Sequence, residues 1–366
     1  MNFIFDLVPT LLVLGILILV HELGHFIACR LAGVRVEKFS IGFGPEILRI
    51  QGKETRYAIS LLPFGGYVKP SGESLSEISA EGPRPYDYVA APVAKRIFIV
   101  TAGVGMNYLL SFLLFIAILV MGRPVPTSVV GGFVKGYPAE ASGLAKGDRV
   151  AAVEGLRVDS WEDLTDVLGK VTAADVELDI EREGNRLKLR VPLRVEAIKD
   201  IFGQTHKLSR LGILPDSSKQ QLERLPVTDA IREAFLMEIH LTGMTYKGIF
   251  YLMTGRLSLR TISGPIGIMA MAGTAAKMGL VYVLHLAAIL GISLAVVNLL
   301  PIPALDGGHL LFLLIEGIKG RGVSLEFQER ATQIGFAVLM ILMVLVIYND
   351  LVNLQVIERV KTALTR

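Results

Sequence analysis

Four stretches of this sequence are nearly empty of charge and long enough to cross a bilayer, which takes about 20 predominantly apolar residues. Leu7 to Cys29 carries one acidic residue, Glu22, while Ile97 to Gly122, Met278 to Leu305 and Ala331 to Asn349 carry no Asp, Glu, Lys or Arg. The third stretch ends in Asn298-Leu-Leu-Pro301-Ile-Pro303. Its prolines remove backbone donors, so a helix should break there. A fifth stretch, Thr261 to Ala276, is short, glycine-rich and interrupted by Pro265, and reads as re-entrant or interfacial. The N-terminus lacks the basic segment and small-residue cleavage site of a signal peptide.

The composition agrees. Charged residues make up 19% of the 366 and hydrophobic ones 52%, against about 25% and 45–50% in soluble domains. Mean hydropathy is +0.54, which excludes disorder. The single cysteine, Cys29, excludes a disulfide scaffold, and the net charge of +3 gives no case for a nucleic-acid partner. The fold class expected is a polytopic α-helical membrane protein with four transmembrane helices and soluble segments between them.

Lysines and arginines in short loops orient such a chain. Between the first two spans lie Arg30, Arg35, Lys38, Arg49, Lys53, Arg56, Lys69, Arg84, Lys95 and Arg96, whereas only Asp6 precedes the first. The first loop is therefore expected in the cytoplasm and the N-terminus outside, with residues from Arg123 to about Lys277 exported. The tail with Arg359, Lys361 and Arg366 would also lie outside, against the rule's general trend. Within the first loop, Val34 to Ile41 and Tyr57 to Leu62 read as strands. Residues 129–195 alternate Val/Ile/Leu runs with glycine turns, and Ser160 with Asp163 predicts a capped helix from Trp161 to about Leu168. Leu225 to Thr254 reads as a helix along the membrane surface or against the core.

The costly polar groups sit inside the spans. His21-Glu22-Leu23-Gly24-His25 places two imidazoles at i and i+4, about 40° apart around a helix and one turn along. They can bind one metal ion, with Glu22 beside them in reach of a water that the ion activates; H-E-x-x-H is the zincin pattern. A Glu that merely pairs with a histidine between helices is the structural alternative. An intramembrane carboxylate costs about 2.5–3.5 kcal/mol, so it needs a reason. A hydrolytic site needs a third ligand, and Asp306, just past the broken third span, is the comparable polar group. Its structural alternative is the cap of a helix beginning near Gly308.

His-Glu-Leu-Gly-His in the first span and Asn298-x-x-Pro-x-x-x-Leu-Asp306-Gly in the third resemble the site-2 protease family of intramembrane zinc metalloproteases, in its RseP-type bacterial branch. Ile41-Gly-Phe-Gly-Pro45, Leu62-Pro-Phe-Gly-Gly-Tyr-Val68, Ser263-Gly-Pro-Ile266 and Gly307-Gly-His-Leu-Leu-Phe312 are similar to that branch too. The exported segment resembles a PDZ domain through Gly136 to Val150, with room for one such domain where many relatives carry two.

The resemblance implies Zn2+ held by His21, His25 and Asp306, with Glu22 as general base and then acid. It implies that Asn298 holds the substrate backbone or polarises its carbonyl; a structural amide satisfying backbone freed by Pro301 is the alternative. Domains expected are a membrane half at 1–122 with the zinc-binding helix and a cytoplasmic β-rich loop, an extracytoplasmic PDZ domain at 123–200, a linker with an amphipathic or re-entrant segment at 201–277, and a second membrane half at 278–366. The implied partners are the lipid bilayer and a single-span membrane substrate such as an anti-sigma factor or signal-peptide remnant. The implied location is the bacterial inner membrane. A strand edge in the first loop could pair with an unwound substrate segment. The other functions open to such a chain are a catalytically silent PDZ-bearing scaffold and a metal transporter, the latter needing a file of polar residues across the bilayer that the second and fourth spans hardly offer. Asn107 is expected to serve helix packing and an interhelical hydrogen bond, with substrate contact as the alternative. His285 and Cys29 are expected to be packing residues, and His309 is a possible outer support.

Overall fold

The computed structural model describes residues 3–73, 82–199, 203 and 205–353. The chain enters through α1 (Phe3–Ala32), whose apolar residues run all round the helix, as in a membrane span. Gly33, at φ +79°, ends it, because only glycine takes that left-handed position without penalty. A hairpin follows, β1 (Val36–Gln51) against β2 (Arg56–Pro70). It is longer than the strands expected at Val34–Ile41 and Tyr57–Leu62, because Gly52 and Thr55 close a tight turn that keeps pairing alive from Gln51↔Arg56 onward. The near half of β1 is buried, with Phe39 edge-on to Phe26 of α1 at 5.4 Å, while Ile47, Leu48 and Ile50 beyond it are exposed. The second long helix is α2 (Val93–Met121).

Residues Leu119–Thr228 form a compact unit of their own. It contains β3 (Arg123–Pro126), β4 (Val130–Phe133), the single turn α3 (Pro138–Ala141), β5 (Arg149–Val153), β6 (Leu156–Arg157), α4 (Trp161–Lys170), β7 (Asp175–Arg182), β8 (Asn185–Pro192), β9 (Arg194–Lys199), β10 (Thr205–Arg210), β11 (Ile213–Pro215) and β12 (Gln220–Glu223). Its four-stranded sheet has the order β6-β5-β7-β8. The alternation in Asp175-Val-Glu-Leu-Asp-Ile180 buries Val176, Leu178 and Ile180 against Val130, Val150 and Leu164. Ser160 and Asp163 form the capping box expected of them, and α4 runs to Lys170. The unit extends beyond residue 200, where the sequence alone ended the domain. The reason is that β11 and β12 return to pair with β4 and β3, so Glu223 lies opposite Arg123.

The rest is helical. α5 (Val227–Met253) buries Ala230, Ala234 and Tyr251 and exposes Phe235, Ile239 and Phe250. α6 (Pro265–Met278) packs along α1, where Gly273 lies against Asp6 and leaves no room for a Cβ. Its first turn is capped from far away. Asp350 accepts hydrogen bonds from the amides of Gly264, Ile266 and Gly267 at 2.9, 3.0 and 2.9 Å, satisfying donors that a helix start otherwise leaves open. α7 (Leu280–Asn298) stops at Asn298, and the expected break occupies residues 299–305, with Ala304 at φ +94°. α8 (Asp306–Lys319) folds back over that break. Gly307 and Gly308 permit it, since a Cβ on either would lie 2.1 Å from Leu300 O or 2.5 Å from Ile302 O. Last comes α9 (Leu325–Asn353). By length and composition α1, α2, α7 and α9 can each cross a membrane.

Candidate metal centre

His21 and His25 lie one turn apart on α1, and the fold over the chain break brings Asp306, the first residue of α8, to both. His21 Nε2 is 3.2 Å from His25 Nε2 and 3.1 Å from Asp306 Oδ2, and His25 Nε2 is 3.5 Å from the same oxygen. A tetrahedral ion with bonds of about 2.0–2.1 Å separates its ligand atoms by about 3.3–3.4 Å. The triangle of donors therefore has the size of one face of a zinc tetrahedron. Asp306 Oδ2 is buried and, by hydrogen-bond geometry, has no partner among the described residues. An acceptor stranded between two imidazole nitrogens fits a cation, and two nitrogens and one carboxylate oxygen are a zinc donor set. His21, His25 and Asp306 form the metal-capable group among the described residues.

α2 is the backing plate of this site. Ile99 O accepts from His25 Nδ1 at 2.9 Å, and the Asn107 side chain reaches His21 Nδ1 at 3.4 Å. Gly103 lies between them, and a Cβ there would be 2.3 Å from His25 Nε2 and 2.8 Å from His21 Cε1. Gly24 on α1 is the reciprocal notch, with Ala102 O 2.5 Å from where its Cβ would be. The two helices thus meet at backbone distance where the imidazoles need room.

Glu22 faces β2. A Cβ on Gly66 would stand 3.2 Å from Glu22 Cγ. Asn298, the last residue of α7, places its amide nitrogen 3.4 Å from His21 Nε2, at the edge of the ligand triangle. The arrangement can hold a cation, place a carboxylate beside it and present an amide at the edge of the ligand triangle.

Other polar residues fall out differently. His285 packs edge-on against Phe115 at 5.8 Å, and Cys29 is fully buried with Ala28, Ala32, Val34 and Val36. His309 lines a cavity of about 420 Å³ with Tyr88, Arg96 and Gln328. Asn107 makes the interhelical bond expected of it, and its partner is His21. The signal available was Asn107 on an uncharged span, one turn beyond Gly103. His206 has its side chain outside the described residues.

Residues 9–342 match the model of "Peptidase family M50". "Putative zinc metalloprotease Atu1380" of Agrobacterium fabrum is 35% identical over 95% of this chain and 96% of its own length. "Putative zinc metalloprotease CA_C1796" of Clostridium acetobutylicum is 33% identical over 95% and 98%. "Zinc metalloprotease RasP" of Geobacillus kaustophilus is 29% identical over 94% and 97%. Among solved structures, the PDZ domain of an SdrC-like protein from Listeria monocytogenes aligns with 25% of this chain and 90% of its own, at 17% identity and a TM-score of 0.20.

Proposed function

The chain belongs to peptidase family M50, the site-2 proteases, and on that premise we propose that it is a zinc-dependent endopeptidase cutting the membrane segments of single-span proteins. The observation that carries this reading is the triangle of His21, His25 and Asp306 with Glu22 at its side, built on helices long and apolar enough to span a bilayer. A bound zinc ion supplies Lewis acidity there, polarising a carbonyl and making water nucleophilic near neutral pH.

The protein's own groups do the rest. His21 Nε2, His25 Nε2 and Asp306 Oδ2 would hold the ion. The Glu22 carboxylate takes the proton of the attacking water and then delivers it to the leaving nitrogen. The Asn298 amide donates to the substrate carbonyl as negative charge develops on its oxygen. A helical substrate has its peptide bonds closed by internal hydrogen bonds, so it must unwind before cleavage. The hairpin supplies a template for the extended form, because β2 passes against Glu22 at Gly66, and an unwound segment can pair with a strand edge.

Regulated intramembrane proteolysis in the bacterial inner membrane suits this machinery, with an anti-sigma factor or a signal-peptide remnant as substrate. The lysine- and arginine-rich loop between α1 and α2 supports placing the hairpin in the cytoplasm and residues 123–200 outside as a PDZ domain. In that domain a groove of about 340 Å³ runs between α4 and residues 209–215, lined by Tyr137, Trp161, Leu164, Leu168 and Ile213. Such a groove suits capture of a peptide end exposed by an earlier cut.

Glu22→Gln tests the reading. The purified variant is expected to keep its zinc and lose cleavage of a tagged single-span substrate, and uncut fragments should accumulate in cells carrying it. Continued cleavage would overturn the mechanism.

A further inference from the structure

Asn107 is completely buried, and its amide is divided between two fates. Its Nδ2 lies 3.4 Å from His21 Nδ1, while its Oδ1 has no partner among the described residues. The oxygen and nitrogen of an amide are nearly interchangeable in shape, so the hydrogen bonds decide which way it faces. The geometry of His21 makes that decision. Its Nε2 points at His25 Nε2 and Asp306 Oδ2, and a nitrogen that serves as a metal ligand must offer a lone pair. The proton of the neutral ring is then on Nδ1, where it needs an acceptor. An amide N–H2 at that point would set two donors against each other. Turned over, Asn107 Oδ1 accepts from His21 Nδ1–H, and its stranded oxygen gains a partner. His25 already follows this logic through Ile99 O at 2.9 Å.

From these contacts we infer that Asn107 is a positioning residue for the metal site: its side-chain oxygen fixes the ring orientation and tautomer of His21, as Ile99 O does for His25. Both metal-site histidines then take their outer partners from α2, one from the backbone and one from a side chain. Metal-ligating histidines are held this way as a rule, and loss of such a partner weakens metal binding about 10–100-fold. Ser111 Oγ, one turn further along α2, is also buried without a partner among the described residues. Asn107 is thereby separated from a packing role, which any residue of similar size would fill.

This inference rests on the zinc reading and is tested apart from turnover. The full chain, purified in detergent, would be titrated with Zn2+ against a chromophoric chelator for the wild type, Asn107→Asp and Asn107→Leu. Leu keeps the volume without an acceptor, and Asp keeps the acceptor without the donor. The expected result is a 10–100-fold loss of zinc affinity in Asn107→Leu and affinity within a few-fold of wild type in Asn107→Asp. Thermal unfolding of the zinc-free chains should show that the loss in Asn107→Leu is not a loss of fold. Should that variant fail to fold, Asn107→Asp decides alone, since a tenfold loss there would mean the amide acts as a donor. Wild-type affinity in Asn107→Leu would also overturn the inference. A wild type that binds no zinc would instead remove the metal site itself.

Discussion

Arg96 and Glu316 stand 220 residues apart in sequence and meet as a two-pronged ion pair, with Arg96 Nη2 2.5 Å and Nη1 3.1 Å from the two carboxylate oxygens. Both side chains are largely buried, at 13% and 18% exposure. The pair ties α2, which backs the two histidines, to α8, which begins at Asp306. It therefore fixes Asp306 relative to His21 and His25. Breaking a pair this buried costs about 3 kcal/mol. Arg96→Glu and Glu316→Arg are each expected to lower the thermal unfolding midpoint and the bound zinc, and the double swap should recover much of both. Metal content and unfolding curves of the three variants check it. A double swap as poor as the single changes would refute the coupling.

Two glycines on one helix make opposite predictions. A Cβ at Gly103 would press on both imidazoles, whereas one at Gly105 meets nothing within 4 Å. Gly103→Ala is expected to reduce bound zinc about tenfold or more, and Gly105→Ala to leave it unchanged. Metal analysis of the two purified variants is sufficient to decide.

The compact unit at Leu119–Thr228 has its own acid sensitivity. Burial pushes the Asp148 carboxyl up, but the Arg182 guanidinium and the Ala145 amide outweigh it and hold the group below the ordinary carboxylate range. A carboxyl depressed by folding adds stability above its unfolded value, and that stability fades as pH falls through the folded one. Stability of this unit should decline as pH drops below about 5. Trp161, the chain's one tryptophan, packs against this core and reports its melting by fluorescence. Asp148→Asn is expected to lose about 2 kcal/mol at neutral pH and to show a flatter acid limb.

Local chemistry was legible in the sequence, and distant partnerships were not. The i, i+4 spacing of His21 and His25 is a property of one helix turn. Ser160 with Asp163 is likewise written in adjacent residues, and Pro301, Pro303, Gly307 and Gly308 announce a broken span. Asn107 could be read as an interhelical hydrogen-bonding residue, but only tertiary packing puts His21 opposite it. The spans were also trimmed at their charges. Asp6 and Asp350 fell just outside the expected apolar runs, yet both are buried, at 2% and 3% exposure. Asp6 lies against Gly273 and 3.6 Å from the Lys277 ammonium, and Asp350 caps α6. A carboxylate at the edge of an apolar run gives no local sign of whether it faces water or a helix start from another part of the chain. The strands β11 and β12 escaped notice for the same reason, being short segments whose partners lie far back in sequence.

The Asp350 cap has a consequence for how the protein is made. α6 lies along α1, the helix that carries His21 and His25, but the carboxylate closing its first turn is supplied by residue 350, 86 positions after Gly264. While a ribosome is still producing α7, α8 and most of α9, three amides at the start of α6 lack that acceptor. The support behind the histidine-bearing helix is then completed only once the end of α9 has been made. A chain released before Asp350 would carry His21, His25 and Asp306 without the cap that steadies the neighbouring helix, and full assembly would wait until α9 is in place.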